Sequence, residues 1–230
     1  MKPIRKPFFM VNPKSYLCGK NLLNLALAAD AAAMGKDFDV FFTAPFVDIT
    51  RIAENTQNLI VTAQHMESIK MGRGMGHIVP EMLVGAGARA VFLNHAENSL
   101  KLVDLVQTME RAKEVGLYTI VCADSIAEAK AIAVLNPDIL LCEPTDLIGK
   151  ATISPTSYIQ QTIQQIKAIN PDILVMQAAG IRTGEDVYHV IMEGAEGTGC
   201  TSGIVCADNP QAMLREMIDA VEKAGKAGGK

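Results

Sequence analysis

The segment Ala90–Ala123, AVFLNHAENSLKLVDLVQTMERAKEVGLYTIVCA, carries the unit from which the fold is read. An apolar run, AVFL, breaks at Asn94 and His95, with Glu97 following closely. From Ser99 to Gly116 the apolar residues recur at helical spacing. Leu100, Val103, Leu105, Val106 and Met109 form one stripe, charges lie opposite, and Gly116 is a helix stop. A second apolar run, YTIVCA, follows. The segment predicts strand, helix, strand, with a helix beginning near Asn98 and an imidazole placed where the first strand ends.

Working outward, the same alternation fills the chain. Short β-branched or aromatic runs recur as FFMVN, FDVFFTA, LIVTAQ, AVFLNH, YTIVCA, ILLCEP, ILVMQAAG and, more weakly, GTGCTSGIVC. Between them lie helical patterns such as SIAEAKAIAVLNP, TSYIQQTIQQIKAINP, TGEDVYHVIMEG and NPQAMLREMIDAVEKAG. Strands alternating with helices imply right-handed crossovers and a parallel sheet buried on both faces, which is why the runs are continuously apolar. About eight such units, in a chain near the ~250 residues usual for the architecture, predict an α/β fold of the (β/α)₈ barrel class. A doubly wound open sheet is the competing reading, but no G-x-G-x-x-G follows the first strand. One domain is expected over residues 1–225, with 226–230, ending in GGK, as a flexible tail.

Composition narrows the function. Of 230 residues 49% are hydrophobic, ample for a large core, and the net charge of -4 comes with no basic stripe, arguing against nucleic acid and anionic membranes as partners. Five cysteines, Cys18, Cys122, Cys142, Cys200 and Cys206, show no C-x-x-C pairing, which points to a reducing, cytoplasmic setting. A small soluble ligand is the expected partner.

In a barrel of this kind the site is built at the carboxyl ends of the strands. Those ends offer Asn12 and Lys14 after the first run, Gln64 and His65 after the third, Asn94, His95 and Glu97 after the fourth, and Glu143 after the sixth. The seventh and eighth supply the small-residue stretches QAAGI and GCTSG, whose backbone N–H groups can approach an anion. Singly, each has a plainer reading. A strand-end lysine is usually a solvated cation, a lone histidine is usually a hydrogen-bonded structural residue, and Glu143 before Pro144 can simply open a turn. Convergence shifts the balance, because barrel closure brings all three to one rim. His65 and His77 read as structural; His65, His95 and Glu143 could together hold a metal, but no H-x-H or H-E-x-x-H spacing supports one and none is expected.

The ordered motifs NPK, AQHMESIKMGRGMGHIVPEML, LNHAEN, EPTDLIG and AAGIRTGEDV, with a small-residue eighth loop, resemble the triosephosphate isomerase family, most closely its short archaeal form. That family is a standard example of a glutamate base acting with a neutral histidine beneath a closing loop. The resemblance implies interconversion of dihydroxyacetone phosphate and glyceraldehyde 3-phosphate, with no cofactor. It implies Glu143 as base, His95 as electrophile, Lys14 as a fixed positive charge and Asn12 as a hydrogen-bond donor, with Glu97 behind them. Ile148, Gly149, Gly180, Thr201 and Ser202 would hold the phosphate, and residues 144–152 would form the lid. The helix expected after His95 would keep its ring neutral.

Departures from the family pattern lie near the substrate. Pro13 stiffens the first motif, Ala96 replaces a serine beside His95, Lys150 and Ala151 stand in the lid, and Gln177 and Ala178 replace a Cys-Gly pair. They keep two alternatives open, an isomerase of another small sugar phosphate and a silent phosphate-binding protein. A Schiff-base aldolase would want a lysine where Glu143 stands. The loop HMESIKMGRGMGH matches the family's subunit-contact loop, with Met66, Met71 and Met75 as adaptable contacts, so a homodimer or homotetramer is expected.

Overall fold

Eight runs become strands because each is buried along its length, save for the half-buried Leu174 at the start of the seventh. They are β1 (Phe8–Val11), β2 (Val40–Ala44), β3 (Leu59–Ala63), β4 (Ala90–Leu93), β5 (Tyr118–Ala123), β6 (Ile139–Cys142), β7 (Leu174–Met176) and β8 (Gly197–Cys200). In the computed structural model, which describes residues 2–144 and 154–228, they pair in sequence order into a closed barrel. All pairs are parallel, and β1 closes on β8 with Phe8 opposite Gly197 and Val11 opposite Cys200. Parallel pairing puts every carboxyl end on one rim.

Alternation along each strand divides the core in two. Phe8, Met10, Phe41, Phe92, Ile120 and Leu141 fill the barrel, whereas Phe9, Val11, Phe42, Val91 and Val121 pack outward against helices. Phe8 and Phe41 meet edge-on with ring centroids 5.5 Å apart, a geometry worth about 0.5–1.5 kcal/mol beyond area burial. A Cβ on Gly197 would sit 2.2 Å from the Phe8 ring, so the weak eighth run has glycine where the interior is already full.

The helices cover the outward side chains: α1 (Gly19–Ala33), α2 (Ile49–Asn55), α3 (Pro80–Gly85), α4 (Leu102–Val115), α5 (Ile126–Ala133), α6 (Thr156–Ile169), α7 (Gly184–Met192), α8 (Ser202–Val205) and α9 (Pro210–Gly228). Their ends obey local chemistry. Gly116 caps α4 in the left-handed region at φ 78°, and Thr183 and Asp186 form a reciprocal capping box at α7.

Four details differ from the sequence reading. Helix α4 starts at Leu102, not near Asn98, because His95 and Asn98 close a turn of their own through Asn98 N–H to His95 O at 2.7 Å. Val103, expected on the buried stripe, is 57% exposed. The run GTGCTSGIVC is half strand and half helix, since Ser202–Val205 form α8. Helix α9 continues to Gly228, past the expected boundary at 225, with Ala224 buried and Lys226 paired to Glu222 at 2.8 Å.

Candidate active site

A cavity of about 450 Å³ opens at the carboxyl rim, and Asn12, Lys14, His95, Glu97 and Glu143 line it. Gly180, Thr201 and Ser202 line its other side. Residues far apart in sequence thus share one wall because their strands end together. Ile148, Gly149, Lys150 and Ala151 lie outside the described residues.

Lys14 sits in the left-handed region at φ 46°, unusual for a side chain with a Cβ. Asn12 Oδ1 accepts its backbone N–H at 3.1 Å, and Gln64 Nε2 donates to its carbonyl at 2.8 Å. The VNPK turn is therefore tied both to itself and to the end of β3. The Lys14 ammonium donates to Glu97 Oε1 at 2.6 Å, and this bond holds the Glu97 carboxyl below the usual carboxylate range.

His95 follows Asn94, whose backbone is also left-handed, at φ 59°. Its Nδ1 accepts the Glu97 backbone N–H at 3.1 Å, so in the neutral ring the proton resides on Nε2. Burial pushes its pKa down, and the Lys14 charge pushes the same way. The cause is desolvation, not the helix terminus expected from the sequence, because α4 begins seven residues beyond the ring. Burial also raises the pKa of Glu143, against the pull of Lys14. One environment thus favours a neutral imidazole and a more basic carboxylate together, as general acid–base chemistry requires.

Around Gly180, at φ 75°, the loops after β7 and β8 press close. A Cβ on Gly203 would lie 2.8 Å from Ile181 O and 2.9 Å from Arg182 Cα. Gln177 is buried with neither side-chain amide atom hydrogen-bonded. Gln64 and His65 line a smaller adjoining cavity that also reaches Lys14 and His95. His77 lies outside both cavities, with Nδ1 3.5 Å from Glu67 Oε1.

A profile of the triosephosphate isomerase family matches residues 7–221. The chain belongs to the triosephosphate isomerase family. Triosephosphate isomerases of Methanobacterium bryantii and Methanocaldococcus jannaschii are 35% and 36% identical to it, across 94% and 91% of this chain and 97% of each relative. One from Sulfolobus acidocaldarius is 32% identical, covering 98% of this chain and all of the relative. The cavity also takes in Arg182, which the motif AAGIRTGEDV carries but to which the sequence reading gave no role. It is exposed, lines the cavity, and has no carboxylate partner for its guanidinium among the described residues. A single arginine in a loop carries no periodic signal; only closure of the barrel brings it to the rim.

Proposed function

We propose that this protein is a triosephosphate isomerase, moving a proton between adjacent carbons of dihydroxyacetone phosphate and glyceraldehyde 3-phosphate through an enediolate. Glu143 removes the proton next to the carbonyl and returns it to the neighbouring carbon. His95 Nε2 donates a hydrogen bond to the oxygen on which charge develops, and Lys14 offsets that charge. Asn12 donates from its amide nitrogen while its oxygen holds the Lys14 turn. Gly180, Thr201 and Ser202, with Ile148 and Gly149, hold the phosphate. No cofactor takes part.

The observation that carries this reading is the pairing of a depressed histidine and a raised glutamate on one cavity, with Lys14 acting on both. Arg182 joins the phosphate end in this reading. Asp186 accepts the backbone N–H groups of Arg182 and Thr183, at 2.8 and 2.9 Å, so the Arg182 backbone is held while its exposed guanidinium lines the cavity. The protein acts as a homodimer at least. Met75 and Met71, exposed at 102% and 62%, are its contacts through the loop after β3, whereas Met66, expected beside them, is fully buried in the core and makes none. Sedimentation at micromolar concentration showing only monomer would refute this.

A coupled assay on glyceraldehyde 3-phosphate tests the activity, with E143Q alongside. Fast turnover in the wild type and a collapse in E143Q is expected. Absent turnover in a folded wild type would point to another small sugar phosphate.

A further inference from the structure

We infer that Glu128, on α5 and outside the reacting groups, is a positioning residue that aims His95 by clamping the side chain of Asn94. The inference rests on His95 being the electrophile proposed above.

The argument begins at the end of β4. Asn94 holds a left-handed backbone, which costs a residue with a Cβ of order 1 kcal/mol and which asparagine tolerates best after glycine. It is 9% exposed, and both its amide nitrogen and its amide oxygen are hydrogen-bonded. Nδ2 donates to Cys122 O on β5 and to Glu128 Oε1, each at 3.0 Å, and Oδ1 accepts from Leu100 N–H at 3.0 Å. One amide thus fastens the end of β4 to the next strand, the next helix and the loop before α4.

Glu128 is itself held on both oxygens. Oε2 accepts the Asp124 N–H at 2.8 Å, while the Glu128 N–H is capped by Ser125 Oγ at 3.2 Å. The carboxylate therefore carries the rigid start of α5 onto Asn94, one residue before His95. On the far side of the ring Glu97 N–H fixes Nδ1. The ring sits between two anchors, and Glu128 is the remote end of one of them. Asn94, His95, Glu128 and Glu143 also line one cavity of about 240 Å³. That proximity raises a rival, direct repulsion between the two carboxylates. Aim matters because a displacement of about 1 Å in a catalytic donor can cost about a hundredfold in rate.

A double-mutant cycle separates these roles. Glycine adopts the left-handed backbone freely, so N94G keeps the turn but removes the amide through which Glu128 acts. We expect E128A to lower kcat about ten- to a hundredfold, with KM within about twofold, and E128Q, which keeps one acceptor, to fall between. N94G/E128A should match N94G within about twofold. Additive effects on kcat would overturn the inference, because repulsion on Glu143 or general disorder would persist without the amide. A readout independent of turnover is the imidazole NMR of protein labelled at its four histidines. E128A should shift or broaden the His95 signals and leave those of His65, His77 and His189. An unmoved His95 would overturn the inference even if no triose phosphate turned over.

Discussion

The two ends of the barrel handle charge in opposite ways. At the amino end the buried and half-buried carboxylates are matched by partners. Arg5 clasps Asp39 through its guanidinium at 2.7 Å, Glu196 receives both Lys6 and Lys167 at 2.6 Å, and Asp138 Oδ2 accepts two hydrogen bonds from Thr119. At the carboxyl end Lys14 pairs with Glu97 at 2.6 Å, but the half-buried Glu143 and His95 have no matching ion pair among the described residues, and neither has Arg182. Burial opposes ionisation of Glu196, yet hydrogen bonds from Lys167, Lys6 and Val175 N–H outweigh it and lower its pKa. At Glu143 burial wins and the pKa rises. The same desolvation therefore stabilises nothing at the rim. It stores basicity there, while partners convert the opposite end into structure.

The largest break in this contrast should come from E143Q, which removes the base and should cut kcat about 10²–10⁴-fold in steady-state assays. It should also raise Tm near neutral pH. A carboxyl whose folded pKa is raised costs stability once pH exceeds its ordinary 4.5, and glutamine removes that cost. A lower Tm would mean that Glu143 is a structural residue. Replacing His95 with glutamine should cost about 10²–10³-fold in kcat. In the wild type, kcat/KM should fall on the acid side with an apparent pKa above 4.5, from Glu143, and show no limb at 6.5, because His95 stays neutral below its ordinary value.

At the other end, E196A should leave kcat unchanged and cost about 1–3 kcal/mol in denaturant unfolding, since Val175 N–H loses an acceptor. The depressed pKa of Glu196 gives stability that is present above 4.5 and lost as pH falls through the folded value, so the deficit of E196A should shrink in acid. The smallest effect belongs to R182A, with KM raised about two- to fivefold and kcat unchanged, as an exposed ion pair to phosphate allows. A fall in kcat instead would place Arg182 among the groups that act on the reacting carbons.

Much of this architecture was legible because strands buried on both faces leave unbroken apolar runs, and helices between them leave a stripe and a stop such as Gly116. The candidate site was legible to the extent that chemistry sits at strand ends, as with Lys14, His95 and Glu143. What escaped depends on contacts across the fold. The start of α4 moved to Leu102 because the Asn94 amide captures Leu100 N–H and His95 closes a turn with Asn98. That delay removed the helix terminus as the reason for a neutral ring and left burial in its place. Glu128 reads locally as a first-turn acid of α5; its second oxygen bond, to Asn94, is tertiary.

The most direct measurement is isomerisation in D₂O followed by ¹H NMR. If Glu143 carries the proton between adjacent carbons and exchanges it with solvent, the wild-type product contains deuterium at the carbon beside the carbonyl, and E143Q neither exchanges nor converts substrate at a comparable rate. Rapid conversion with no solvent deuterium, or undiminished exchange in E143Q, would contradict the account.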